Sequence, residues 1–358
     1  MRARLTSVIS EPVFMRAIIA LFAGLVFELI CLVSQSHAGT VLKETAFNEN
    51  FYSVHIVDDR AWIVGYYGAI LHSPDRGVTW QIQPSPTRNA LFSVEFITRD
   101  KGWIAGSHGT ILHTLDGGKN WRPQSSGTTE HLFGLAIADE NYGWAVGSRG
   151  TTLRTENGGR SWSSTLVPGD FTFSGVAFTD RSRGWIVGEF GVIFQTIDGG
   201  KTWLKQKSPI EVSFASGESR NLFALQLNGV NSGYAFGLDG LVLKIRAGKA
   251  WDVVRQPSAM DKLAEANHLF AAATSQDQIW AVGERGTLLR SDSDGKHWQQ
   301  AQGEIPRTSL NGVAFGKTGF GLVVGNRGVV LRTEDGGASW QRLKINSQSP
   351  AKNLGRVP

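Results

Sequence analysis

Aspartates recur in this chain at a spacing that could do chemistry. Asp75, Asp116, Asp198 and Asp335 each stand five residues before a tryptophan, with glycine between, and Asn157 takes the same place in a further copy. A carboxylate in a glycine-bearing loop is one component of a calcium site. It is equally an acceptor for the backbone N–H groups of a tight turn, in which glycine supplies the positive φ that the turn demands. The second role explains both residue types at once, so these positions read as turn staples and not as metal ligands. Other chemistry finds few of its parts. Glycoside hydrolysis needs two carboxyls across a cleft, whereas Glu95, Glu189 and Asp239 are isolated, and Glu44, Glu49, Asp58 and Asp59 read as solvated loop acids. His55, His72, His108, His113, His131, His268 and His297 are scattered without metal-ligand spacing. The glycines sit in hairpins and not ahead of helices, which leaves no phosphate loop. The sequence therefore implies no catalytic residue, no metal and no cofactor.

The elements that carry the aspartates repeat. The fullest form, Thr114-Leu115-Asp116-Gly117-Gly118-Lys119-Asn120-Trp121, returns at Thr196–Trp203 and Thr333–Trp340. The closing tryptophans are Trp80, Trp121, Trp162, Trp203, Trp251, Trp298 and Trp340, the first four 41 residues apart. Such a period signals a repeat architecture. Within one copy, Asp116 is expected to accept hydrogen bonds from the turn, Thr114 to add a hydroxyl bond, and Trp121 to cap the turn. Counting back from Trp251 puts Lys244 and Arg246 where the hydroxyl and the carboxylate belong, and the sixth copy has Ser293 at the Asp position. Ahead of each copy lie strand-like runs, such as Leu91–Phe96, Gly102–Gly106 and Gly109–Thr114, and a fourth strand starts at the tryptophan. Four short strands per unit make a propeller blade. Neighbouring blades cover both faces, so Trp103, Ile104, Ile111 and Leu112 need not alternate with polar residues. The pattern is that of the Asp-box or BNR repeat. Seven copies imply an all-β, seven-bladed propeller over residues 51–346, with 39–50 as a lead-in. Either Trp340–Ile345 or an added strand from Thr40–Ala46 closes the seventh blade.

The loops between second and third strands carry the candidate binding residues. Arg149, Arg285 and Arg327 are expected on one face, with Tyr67, His108 and Phe190. Arginine among aromatics is interface-like composition. Two stretches break the period, Ser208–Asn221 and Gln256–His268, the second with a short helix expected over Ala259–Ala266. Both join one blade to the next and so share the face of those loops. Arg154, Arg290 and Arg332 follow on third strands and read as packing or rim residues.

Residues Ala17–Val33 are apolar apart from Glu28, Arg16 precedes them, and Ser36-His37-Ala38 follows. That reads as a signal peptide over 1–38, cleaved after Ala38. The polar tail, 347–358, is expected to be disordered. The formal charge is +5 and the one cysteine, Cys31, lies in the apolar segment. No dense basic run suggests nucleic acid, and no disulfide can form in the mature chain.

The run Gly-Trp-x-Val-Gly-x-x-Gly-x-x-Leu-x-Thr-x-Asp-Gly-Gly-x-x-Trp, approached by Gly143–Trp162 and Gly184–Trp203, is similar to the photosystem II assembly and stability factor family. The resemblance covers about Phe51 to Leu343. It implies a seven-bladed propeller, exported to the lumen or periplasm, that holds a protein subunit of a membrane complex. It further implies a monomer without catalytic activity, peripheral to the membrane at most. Two family features differ here: Thr40–Ala46 lacks the tryptophan of the family's N-terminal strand, and the arginine patch of the fifth unit is reduced to Arg220. The alternative is an Asp-box glycan-binding protein or glycosidase. Sialidases share the box, but their Phe/Tyr-Arg-Ile-Pro motif is missing, since Glu304-Ile305-Pro306-Arg307 has another order.

Overall fold

The computed structural model describes residues 49–345, apart from 166, 213–219, 248–249, 257–266 and 293. The expected signal peptide, the helix at 259–266, the Thr40–Ala46 strand and the tail at 347–358 lie outside the described residues. Seven four-stranded antiparallel sheets follow one another, each built from strands in chain order. Blade 2 is typical, with Leu91–Phe96, Gly102–Gly106, Ile111–Thr114 and Arg122–Gln124. The first strands of the blades are Phe51–Val57, Leu91–Phe96, Leu132–Ile137, Phe173–Phe178, Leu222–Leu227, Leu269–Ser275 and Leu310–Phe315. Each lies against the first strands of its two neighbours, and the last lies against the first, so they enclose the propeller axis.

The second strands are buried on both faces along nearly their whole length, because each blade is covered on both sides. Trp62, Trp103, Trp185 and Trp280 are among the largest fully buried side chains. Six of the seven outermost strands have only two or three residues, which leaves little edge for unwanted pairing, and the exception is Ala250–Arg255 of blade 5. In blade 7 the outermost strand is Gln341–Arg342, supplied by the blade itself. The seam between blades 7 and 1 is held by Gly328 N–H donating to the Glu49 carbonyl at 2.7 Å and by the Asn311 amide donating to the Phe51 carbonyl at 2.7 Å. Arg332 Nε adds a bond to the Arg76 carbonyl at 2.6 Å.

The box turns are organised by the hydroxyl as much as by the carboxylate. Thr114 Oγ1 accepts from the buried Gly118 N–H at 2.8 Å and donates to Asp116 Oδ1 at 2.9 Å. Asp116 accepts from Asn120 N–H at 2.9 Å and from the Asn120 amide at 2.7 Å. The same bonds recur around Asp75, Asp198 and Asp335, while Asn157 accepts Ser161 N–H but donates its own amide to the Ser161 hydroxyl at 2.9 Å. At Asp335 the Ser339 hydroxyl and N–H, with Thr333, hold the carboxyl down at about 2. Thr114→Val is expected to cost about 1–3 kcal/mol, since a buried N–H loses its acceptor. Asp116→Ala should cost less, about 1 kcal/mol, because the exposed Asn120 N–H can turn to water. Urea unfolding of both variants checks the order; a larger loss at Asp116 would make the carboxylate the main staple.

The tryptophans do more than cap their own turns. Trp121 Nε1 donates to Gln83 Oε1 of the preceding blade at 3.1 Å. The Gln83 amide and Trp62 Nε1 both donate to the Gly117 carbonyl, at 2.7 and 3.0 Å. One blade later, Gln124, Trp103, Trp162 and the Gly158 carbonyl repeat the arrangement. Between blades 1 and 2 and between blades 2 and 3 the boxes therefore stitch blade to blade. Blade 5 departs from the spacing count. Tyr234 pairs with Lys244 as Trp103 pairs with His113, so Ile245 and not Lys244 takes the hydroxyl position. The hairpin to Trp251 is one residue tighter than the count assumes. Lys244 instead reaches blade 6, donating to the Asp294 carbonyl at 3.2 Å.

Candidate docking face

Hydrogen bonds separate the two ends of the propeller. Ser107 N–H, in a loop between second and third strands, donates to the Ala90 carbonyl just ahead of the same blade's first strand at 2.8 Å. Gly109 N–H donates to the Glu130 carbonyl in the connection to the next blade at 2.7 Å. At the opposite end, Gly117 of the box bonds the Asp100 carbonyl in the first hairpin at 3.0 Å. Tyr67, His108, Arg149, Phe190, Arg285 and Arg327 thus share one end, each at the same place in its loop. All six, with Asp239 of blade 5, lie in the left-handed region at φ between 52° and 58°. A side chain there costs on the order of 1 kcal/mol relative to glycine.

The next blade clasps several of these strained residues by their N–H groups. His131 Nδ1 accepts from His108 at 3.2 Å, Asn221 Oδ1 from Phe190 at 3.1 Å, and His268 Nδ1 from Asp239 at 3.1 Å. Asn50 Oδ1 accepts from Arg327 at 3.1 Å across the seam. Burial and the neighbouring His108 hold His131 below the usual imidazole range, with Glu130 working against them. That keeps its Nδ1 free to accept.

Arg149, Arg285 and Arg327 are all exposed. The Arg149 side chain is 77 % exposed, 3.7 Å from Glu130. Three glutamates of this end are turned to the scaffold instead. Glu130 accepts the Ser148 hydroxyl at 2.7 Å, Glu189 accepts Thr172 N–H at 2.8 Å, and Glu284 accepts His268 N–H at 3.5 Å. Three arginines are therefore exposed at this end while Glu130, Glu189 and Glu284 are tied to the scaffold; in blade 5 the exposed group is Asp239, its side chain 64 % exposed. Of the two irregular connections, Val212 bonds the Phe190 carbonyl at 3.2 Å, which brings the first to this same end.

Glu95 is not isolated, as its place in the sequence suggests. It faces His55 across the first strands of blades 1 and 2, Oε2 to Nδ1 at 3.3 Å. Burial pushes Glu95 up to about 8 and His55 down to about 4, a backbone hydrogen bond at Phe96 opposing the latter. Part of each side chain, 35 % and 23 %, borders open space, but the inner strands crowd both groups otherwise and disfavour their charged forms. Both shifts favour the uncharged forms of the two groups near neutral pH. The folded value of Glu95 lies above its ordinary 4.5, so its contribution to stability is full below that value and lost as pH rises through about 8. Between about pH 6 and 9, the melting temperature of the wild type should fall further than that of Glu95→Gln. Parallel curves would mean an ionised pair. Asp239 also gains a partner, His268 at 3.6 Å. Among the described residues, no cluster of His, Cys, Asp and Glu is arranged to hold a metal.

Sequence reasoning missed the clasping residues Asn50, His131, Asn221 and His268, and the bridging Gln83 and Gln124. The glutamines carried a signal, since each follows its box tryptophan by three residues.

Among solved structures, YCF48 bound to D1 peptide superposes with a TM-score of 0.63 at 17% identity, over 80% of this chain and 92% of that one. YCF48 from Cyanidioschyzon merolae gives 0.63 at 20% identity, over 80% and 96%. A GH74 xyloglucanase from Xanthomonas campestris gives 0.65 at 12% identity, over 83% of this chain and 55% of that one. At these identities the likeness is one of fold. No curated protein matches the sequence significantly. The family model described as photosynthesis system II assembly factor YCF48 matches residues 78–169, 125–203, 163–261 and 255–332. Those overlapping matches span most of the propeller, and the chain belongs to the photosynthesis system II assembly factor YCF48 family.

Proposed function

We propose that this propeller is an exported, non-catalytic scaffold that holds an acidic segment of a membrane-complex subunit during assembly or maintenance. The observation that carries this reading is the set of large side chains at strained loop positions. Glycine would relax every one of them, yet three arginines, two aromatics, a histidine and, in blade 5, Asp239 stand there, ringed on one end. Guanidinium groups favour carboxylate partners through paired hydrogen bonds. The family, and the neighbour YCF48 bound to D1 peptide, support a protein partner. Export rests on the apolar segment Ala17–Val33 and the small residues of Ser36-His37-Ala38. No helix among the described residues is long and apolar enough to cross a membrane.

The test is affinity capture from detergent-solubilised membranes. Arg285→Glu with Arg327→Glu should reduce capture at low salt by about tenfold or more and leave thermal unfolding unchanged. Undiminished capture, lost instead on reversing Lys119 and Lys201 at the box end, places docking on the wrong end. Recovery of soluble glycan in place of membrane protein would favour the Asp-box glycan reading.

A further inference from the structure

Every first strand carries a β-bulge at its second residue, where the register skips one position. The bulged residues are Tyr52, Phe92, Phe133, Ser174, Phe223, Phe270 and Asn311, in blade order. The residue before each bulge pairs with the glycine that leads into the loop between second and third strands, so the bulges lie at the docking end. Because first strands enclose the axis, these seven side chains surround the axial opening there. All seven are half-buried. Rings of successive blades touch: Tyr52 and Phe92 centroids are 5.5 Å apart, Phe92 and Phe133 5.2 Å, and Phe223 and Phe270 5.6 Å. His131 packs on the first group, 6.0 Å from Phe133, and His268 on the second, 6.3 Å from Phe270.

The aromatics form two arcs, over blades 1–3 and blades 5–6. Polar gaps separate them at Ser174 of blade 4 and Asn311 of blade 7. The exposed arginines flank those gaps: Arg149 belongs to blade 3, Arg285 to blade 6 and Arg327 to blade 7. A line across the opening from gap to gap therefore has Arg149 at one end, with the exposed Asp239 of blade 5 on that gap's other flank, Arg285 and Arg327 at the other end, and aromatic faces along its middle.

We propose that the axial opening is an anchor pocket for one aromatic side chain of an extended polypeptide segment whose flanking residues are acidic. This deepens the docking face proposed above and rests on it. The arcs offer ring faces and edges to an inserted aromatic, and a central, partly desolvated anchor is where interface energy concentrates. The arginines at the two gaps take the carboxylates on either side. The arrangement also gives each irregularity a use: the bulge turns the second residue of each first strand to the opening, and blades 4 and 7 break the aromatic ring where the chain enters and leaves.

The test uses the full chain and two fluorescein-labelled peptides, acidic at both ends, one with a central tryptophan and one with a central serine. The tryptophan peptide should bind the wild type about tenfold more tightly at low salt. Phe92→Ser with Phe270→Ser should remove that preference and leave binding of the serine peptide as it was. Arg285→Glu with Arg327→Glu should weaken both peptides and keep the preference. Equal binding of the two peptides by the wild type, which needs no variant to fold, overturns the anchor and leaves the arcs as a plug of the channel. A preference that survives the phenylalanine changes overturns it too. If the phenylalanine changes abolish the preference while the arginine changes weaken neither peptide, the anchor stands and the arginine reading falls.

Discussion

Replacing Gly147 with alanine lowers the stability of the propeller by about 3 kcal/mol or more, at the upper end of overpacking costs. Gly147 ends the second strand of blade 3, and a Cβ there would overlap the carbonyl oxygen of His131. That carbonyl cannot withdraw freely, since it accepts Ser148 N–H at 3.0 Å. His131 is also the residue that clasps His108, so displacement would spread to the docking end. The backbone of Gly147 is not in the left-handed region, so the expected loss is one of space and not of φ. Gly127 supplies the contrast. It has φ 75° and nothing within 4 Å of a Cβ, so Gly127→Ala should cost about 1 kcal/mol, by backbone conformation alone. Guanidinium unfolding midpoints of the two variants check the difference. Similar small losses would show that the first-strand entry can yield.

Trp144→Ala is expected to be costlier still, about 4–6 kcal/mol from a large core truncation and the lost hydrogen bond together. Trp144 is 2 % exposed. Its ring stacks on Phe178 of the next blade, centroids 3.4 Å apart and planes 8° from parallel. Its Nε1 donates to the Gly199 carbonyl of that blade's box at 2.8 Å. Truncation therefore opens a cavity between two blades and orphans a buried carbonyl. Trp144→Phe keeps most of the stacking and loses only the bond, with an expected cost of about 1–3 kcal/mol. Equal losses in the two variants, read by denaturant unfolding, would assign the whole effect to the hydrogen bond.

The blade count, the strand order within a blade and the two ends of the ring were all legible in the sequence. The reason is that box chemistry is local: Thr114, Asp116 and Gly118 bond within a single turn, and the turn's spacing writes itself into the chain. What was not legible depends on contacts between units. Glu95 looks solitary because His55 lies a whole blade earlier. Gln83 looks like any exposed strand residue until Trp121 and the Gly117 carbonyl of the following blade come up beside it. The register of blade 5 was misjudged for a related reason. A count back from Trp251 assumes a turn of constant length, and the tighter hairpin there moves Ile245 into the hydroxyl's place. The candidate docking residues were found by loop position alone. Their left-handed backbone and the histidine and asparagine acceptors that hold them emerge only when one blade meets the next.

The order of strands within the sheets has a mechanical consequence. Among the described residues, no sheet borrows a strand from the far end of the chain. Among those residues the propeller is a split ring, its joint between blades 7 and 1 shut by side-by-side contact and a few hydrogen bonds with no strand exchanged across it. Prising blade 7 from blade 1 would break the bonds of Glu49, Asn50, Phe51 and Arg76 with blade 7 and leave all seven sheets whole. That joint carries Arg327 and the Asn311 gap, so the place where the ring can spring open is also a place where a bound segment would bridge the cut. An occupant lying across it would act as a clip, and the ring would be stiffest when loaded.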